Sequence, residues 1–148
     1  MIESIVIQDP KIVSKNFSGK VDKHNPRGWR CFSVVIEKES LLEQLRANNW
    51  PIRVYYRKKF EEGETRESDK KYYIRVYVNY NYKKKPIIMV QGENGPRNLS
   101  EAEIDKLDKF EFNVSNMVIR TKELENIKGE KRVLAFLKHC EIPSLLIS

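Results

Sequence analysis

Apolar and polar residues alternate along most of this chain. In "KKYYIRVYVNYNYKKKP", residues 70–86, Tyr72, Ile74, Val76, Val78 and Tyr80 share one parity; Tyr73, Arg75, Tyr77 and Asn79 share the other. A strand sends successive side chains to opposite faces. The first set therefore predicts a core face, and the second an outer face that is cationic yet rich in flat rings. β-Propensity alone would also put Tyr in a strand and leave Arg on its open side. In "PIRVYYRKKF", Ile52, Val54 and Tyr56 alternate in the same way with Arg53, Tyr55 and Arg57. Two such runs joined by the charged loop "EEGETRESDKK" predict a hairpin, with the two ring-and-cation faces side by side.

The rest of the pattern is also mainly strand. "ESIVI" and "KIVSKNFSG" flank the turn signal Asp9-Pro10, and "WRCFSVVIE" puts Phe32, Val34 and Ile36 on one face. Ser40 followed by Glu43 has capping-box spacing and predicts a short helix, "LLEQLRANN", ended by Asn48 and Asn49. "PIIMV" begins at a proline, which predicts an edge strand, and "GENGPRN" reads as a turn. Leu99 with Ile104, and Ser100 with Glu103, form a hydrophobic staple and a capping box for a second short helix through Leu107. "FEFNVSNMVIRT" predicts a strand with a bulge near Ser115-Asn116, and "ELENIKGE" a loop. "KRVLAFLKHCEI" predicts a last strand, although its Leu134–Leu137 spacing also suits a helix. Many strands, two short helices and long charged loops predict an OB-like antiparallel β-barrel with extra strands, formed by one domain over 1–148.

Charge sharpens this picture. The net charge is +7, and the excess lies in the first two thirds of the chain. A polyanionic partner, nucleic acid or an anionic membrane surface, fits such a balance. No apolar run approaches the roughly 20 residues of a membrane span. The start lacks a signal-peptide pattern, and the cysteine usage fits a reduced, cytoplasmic setting. Cys31 and Cys140 stand far apart with no CxxC, which predicts buried free thiols and no metal site. His24 and His139 have neither metal-ligand spacing nor a partner carboxylate in prospect. No phosphate-binding glycine loop, nucleophile elbow or HExxH occurs. Asp105, Asp108 and Glu111 could form a nuclease carboxylate cluster, but acidic residues on a short helix ordinarily form a solvated face. The sequence calls for no enzyme and no cofactor.

Proteins that hold single-stranded nucleic acid combine a cationic groove with aromatic platforms, each stacked base contributing about 1–3 kcal/mol. Tyr55, Tyr73 and Tyr77 are the candidate platforms. Arg53, Arg57 and Arg75 are candidates to neutralise phosphate and to stack. Lys83, Lys84 and Lys85 would form one cationic rim; Lys20, Lys23, Arg27 and Arg30 another, with Trp29 as a further ring or as a cover on the core. Trp50, between the helix and Pro51, reads as core.

The stretches "KNFSGKVDKHNPRGWRCFSVVIE", "LLEQLRANNWPIRV", "YYIRVYVNY", "LSEAEIDKLDKFEFNVSNMVIR" and "VLAFLKHCEI" together resemble phage and prophage single-stranded-DNA-binding proteins. The resemblance implies an OB-like barrel, sequence-independent binding of single-stranded DNA, and a role in phage DNA replication or recombination within the host cytoplasm, alongside replication or recombination proteins. Many such proteins end in an acidic tail. This chain ends in the apolar "EIPSLLIS", which is expected to pack on the barrel or on a second subunit of a homodimer. Three rival readings stand beside this one: an RNA-binding barrel, a structural or adaptor protein that meets an acidic protein, and the nuclease.

Overall fold

A computed structural model describes residues 4–23, 25–56, 70–81, 84–92, 94–125, 127–143 and 145–147; residues 55, 56 and 145–147 enter through their backbone alone. Its strands are β1 (Ser4–Gln8), β2 (Lys11–Asn16), β3 (Cys31–Ile36), β4 (Ile52–Tyr56), β5 (Lys70–Tyr77), β6 (Ile87–Gly92), β7 (Gly95–Asn98), β8 (Phe110–Phe112), β9 (Asn116–Glu125), β10 (Lys131–Ile142) and β11 (Leu145–Ile147). Helix α1 spans Glu39–Ala47 and α2 spans Glu101–Ile104, with a 3-10 turn at Asp105–Lys109.

Among the described residues, nine strands form one sheet whose main path runs β1-β9-β10-β5-β3-β2. Its two end strands, β1 and β2, are joined by only Asp9 and Pro10. Laid flat, that path would separate them by about 24 Å at ~4.8 Å per strand. A two-residue link spans at most about 11 Å. The sheet must therefore curl until its edges nearly meet, which gives a half-barrel of OB-like form. Asp9 takes the turn with φ at 49° and donates its N–H to the Ser115 carbonyl at 2.9 Å.

The inside of the curl is the core. Ile5 and Ile7, Phe32, Val34 and Ile36, Ile74 and Val76, Met117 and Ile119, and Leu137, Cys140 and Ile142 all point into it. Trp50, Leu42 and Leu45 close one side, and Ile104 and Leu107 another. β10 is the hub, pairing antiparallel with β9 and parallel with both β5 and β6. A register shift between Leu137 and His139 leaves Lys138 exposed and turns Cys140 and Ile142 inward. The helix-like Leu134–Leu137 spacing has a simple cause: β10 is buried on both faces here, Leu137 in the core and Leu134 outside it.

Several expectations need correction. The cap of α1 is Lys38, not Ser40, and no side chain caps it. The Leu42 N–H already bonds the Lys38 carbonyl at 3.1 Å, so Ser40 lies within the first turn. The far end of α1 follows its two asparagines: Asn49 is left-handed (φ 58°), and Trp50 and Asn49 donate to the Leu45 and Arg46 carbonyls. This Schellman closure brings Trp50 onto Leu45. β6 is not an edge, since β10 lies on one side of it and β7 on the other; its proline precedes the first paired residue. "GENGPRN" is more than a turn, because Gly95–Asn98 forms β7. The 110–121 segment is broken into β8 and β9 rather than bulged. β9 also runs on to Glu125, into the expected loop. The apolar C-terminal residues pair with β8 as β11.

Candidate nucleic-acid interface

The outer face of the sheet is built around β5. Along one edge β5 pairs with β3 over its length; along the other it pairs first with β4 and then with β10. The expected β4–β5 pairing forms, and Arg53 stands directly opposite Tyr73. Tyr77, however, faces Phe136 of β10. Arg75 lies at the fork, between Ile74, the last residue paired with β4, and Val76, the first paired with β10. Its Nε is buried and has no hydrogen-bond partner among the described residues.

Tyr77 does not stand free on this face. It is 9 % exposed and packs with Cys31, Leu134, Phe136 and Leu124 into a small apolar cluster outside the main core. Its ring lies 6.1 Å from Phe136 and takes Trp29 edge-on at 5.3 Å and 87°. Trp29 is 40 % exposed and is the open ring of the set. Of the two readings of Trp29, the structure thus combines both: one edge covers an apolar cluster, and the rest meets solvent. The Arg27 guanidinium stands 5.6 Å from its ring centre. Below it, Trp29, Arg30, Tyr77, Asn79, Tyr80 and Phe136 contribute to a cleft of about 300 Å³. Burial pushes the Cys31 thiol pKa up, with the Arg75 charge opposing, so this floor stays neutral.

The loop that carries Lys20, Lys23, Arg27 and Trp29 is held rigidly. Asn25 is buried, and its amide donates to the Lys20 carbonyl (3.1 Å) and the Trp29 carbonyl (2.8 Å). Its side-chain oxygen accepts the Trp29 N–H at 3.1 Å. Gly19 and Gly28 face each other with φ of 70° and 68°, and a Cβ on Gly19 would meet the Gly28 carbonyl oxygen at 2.6 Å. Asp108 anchors the loop's start by accepting the Phe17 N–H (2.7 Å), the Ser18 N–H (3.1 Å) and the Ser18 hydroxyl (2.8 Å). Lys20, Lys23 and Arg27 are exposed on this scaffold.

Arg30 differs from its neighbours. It bonds Asp105 at 2.8 Å, lies 3.7 Å from Glu101, and stands 6.0 Å from the Tyr80 ring centre. Its charge is already matched, so it ties the loop to α2. Asp105 and Asp108 are thereby committed to structural contacts, while Glu111 is exposed on β8. Among the described residues, no group of three or more His, Cys, Asp or Glu is placed to hold a metal. His139 does have a carboxylate neighbour, Glu141 at 3.3 Å, contrary to expectation. The two share a face of β10 because they lie two residues apart.

Lys84 and Lys85 are exposed after the Asn79–Asn81 turn. Arg57, Lys83, His24 and the side chain of Tyr55 lie outside the described residues. The sequence reading missed Phe136, Leu134 and Leu124, whose outward parity is visible in their own alternation. It also missed Asn25, which carries no local signal.

A family model described as "Putative phage ssDNA-binding domain" matches residues 1–144. No curated protein matches the chain. Among solved structures, the single-stranded DNA-binding protein from bacteriophage Enc34 in a C-terminal truncation is 15% identical, with a TM-score of 0.54 over 96% of this chain and 84% of that one. The same phage's protein in complex with ssDNA is likewise 15% identical, with a TM-score of 0.53 over 96% and 86%. At that identity, the likeness speaks for the fold. No helix among the described residues is long and apolar enough to cross a membrane.

Proposed function

The chain belongs to the phage ssDNA-binding domain family, and on that premise we propose that the outer face around β5 is where it holds single-stranded DNA, without catalysis and largely without regard to sequence. The observation that carries this reading is the pairing of an open ring with fixed cations. Trp29, with Arg27 beside it, stands on a loop locked by Asn25 and packs on Tyr77, on the same strand that carries Tyr73 opposite Arg53. Bases would stack on Trp29 and Tyr73, since every base has a π-face. Tyr77 would hold Trp29 in place from below. Arg53, Arg75, Arg27, Lys20, Lys23, Lys84 and Lys85 would meet phosphates, and Arg30 would brace the loop. Arg57 and Tyr55 keep the roles the alternation assigns them, and Lys83 its place in the lysine rim. The setting is phage DNA replication or recombination in the host cytoplasm, with the whole chain acting as one domain.

Fluorescence anisotropy with labelled dT of about 30 nucleotides tests this, a length beyond the site size of one OB fold. Duplex DNA and matched RNA run beside it, at low and physiological salt. Tight, salt-sensitive binding that prefers the DNA single strand is expected. Absence of binding at low salt overturns the reading, and equal or tighter binding of RNA redirects it to an RNA-binding barrel.

A further inference from the structure

The β9–β10 hairpin leaves β5 at the fork. Among the described residues, β10 pairs with β5 only through Ala135 and Phe136, while its earlier residues, from Lys131 to Leu134, pair with β9 alone. The pair thus projects as a two-stranded arm, and its register fixes which residues share a face. Phe136 lies opposite both Tyr77 and Arg120, Leu134 opposite Lys122, and Arg132 opposite Leu124. Residues directly opposite in a sheet point to the same side. Arg120, Lys122 and Arg132 therefore continue the outer face of Tyr77 and Phe136. Leu124 confirms the parity, since it packs on that outer cluster.

The other side of the arm carries Glu123, Glu125 and Lys131, with Lys131 3.4 Å from Glu123. Charge is thus segregated: three cations and no acid on the outer side, two acids and one lysine on the other. A merely solvated ribbon has no reason to sort its charges, whereas a polyanion on one side gives one. At the fork the same outer face of the sheet continues onto the β4–β5 pair, where Arg53 and Lys71 stand opposite Tyr73 and Tyr55, with Arg75 between the two pairings.

We infer that the arm is a second phosphate-contact lane, in which Lys122 and Arg132, with Arg120 nearer the fork, carry the nucleic-acid backbone beyond the Trp29 cluster. The inference rests on the proposed single-strand binding and extends its footprint onto β9–β10. In single strands each phosphate contact contributes a slope of about −0.7 in log K against log salt. The double variant K122Q/R132Q should flatten the slope by about 1.4, so it loses about sevenfold less affinity than the parent between 50 and 200 mM salt. Lys131→Gln, on the opposite side of the same ribbon, removes one charge, as Lys122→Gln does. It should leave the slope unchanged where Lys122→Gln flattens it by about 0.7. Thermal melts should coincide for all variants, since the side chains of Lys122, Lys131 and Arg132 are exposed.

If the parent binds but K122Q/R132Q keeps its slope, the arm is not a lane, and the reading of the β5 face stands. If Lys131→Gln flattens the slope as much as Lys122→Gln, only overall charge matters and the inference is overturned. If the parent itself does not bind, the proposed function and this extension fall together.

Discussion

At the scale of single residues, two neighbouring rings do different work. Trp29 is 40 % exposed and Tyr77 9 %, although they touch edge to face. Trp29→Ala removes a stacking surface of about 1–3 kcal/mol, so dT affinity should fall about 5- to 150-fold while the melting curve barely moves. Tyr77→Ala empties a site walled by Phe136, Leu134 and Cys31. It should cost about 3–5 kcal/mol of stability, as truncating a buried aromatic does. Urea unfolding and anisotropy on both variants check the pair; equal stability loss would show that Trp29 is structural. Alternation alone gives both faces of a strand but not what covers them. Tyr73, Arg75 and Tyr77 were legible as an outer set, yet the burial of Tyr77 depends on β10 and Trp29, which come from distant parts of the chain.

At the scale of elements, the binding loop and α2 form one unit joined by Arg30 and Asp105. Asn25 fixes both backbone groups of Trp29. Asn25→Ala should therefore weaken dT binding in the same direction as Trp29→Ala, while adding Asn25→Ala to Trp29→Ala should cost little more affinity. A double-mutant cycle by anisotropy measures this, and full additivity would mean that Asn25 does not act through Trp29. α2 depends on its capping box: the Ser100 hydroxyl accepts the Glu103 N–H at 3.3 Å, and Glu103 accepts the Ser100 N–H at 3.1 Å. Ser100→Ala should cost about 1 kcal/mol. The Arg97 hydrogen bond first, then those of Ser100, hold the Glu103 carboxyl down at about 2, from 4.5. A folded-state pKa below the unfolded one stabilises above about pH 4.5, and that contribution is lost as pH falls toward 2. Glu103→Gln should remove that part of the acid limb. This capping box was legible because its four residues are local. The Ser40–Glu43 spacing failed because the same short pattern recurs by chance, and the Lys38 carbonyl starts the helix earlier.

At the scale of the molecule, the half-barrel puts its core on the inside and its chemistry outside. The strand content was legible from alternation, α2 from its capping spacing, and α1 from the asparagines that close it. The order β1-β9-β10-β5-β3-β2 was not, because only the two-residue Asp9-Pro10 link between the end strands reveals the curl, and only once those strands are known to be ends. The same inside-outside division sets the alkaline limit of stability. Burial in the core, with the Glu141 charge nearby, pushes the Cys140 thiol up to about 12 from 9. Burial likewise pushes the Tyr80 hydroxyl to about 12 from 10; the Arg30 charge opposes the shift without cancelling it. Both groups keep their protons in the folded chain at pH values where the unfolded chain has lost them. With more protons bound in the native state than in the unfolded one, stability must fall as pH rises. The loss should begin near pH 9 with Cys140, joined by the Cys31 thiol that burial also raises, and steepen near pH 10 as Tyr80 adds to it. Cys140→Ala and Tyr80→Phe should each flatten this limb in a series of urea melts from pH 8 to about 11. Cys140→Ala should weaken the first part of the limb, above pH 9, where Cys31 remains, and Tyr80→Phe should leave the onset unchanged. A limb that keeps its slope in both variants would place neither group inside.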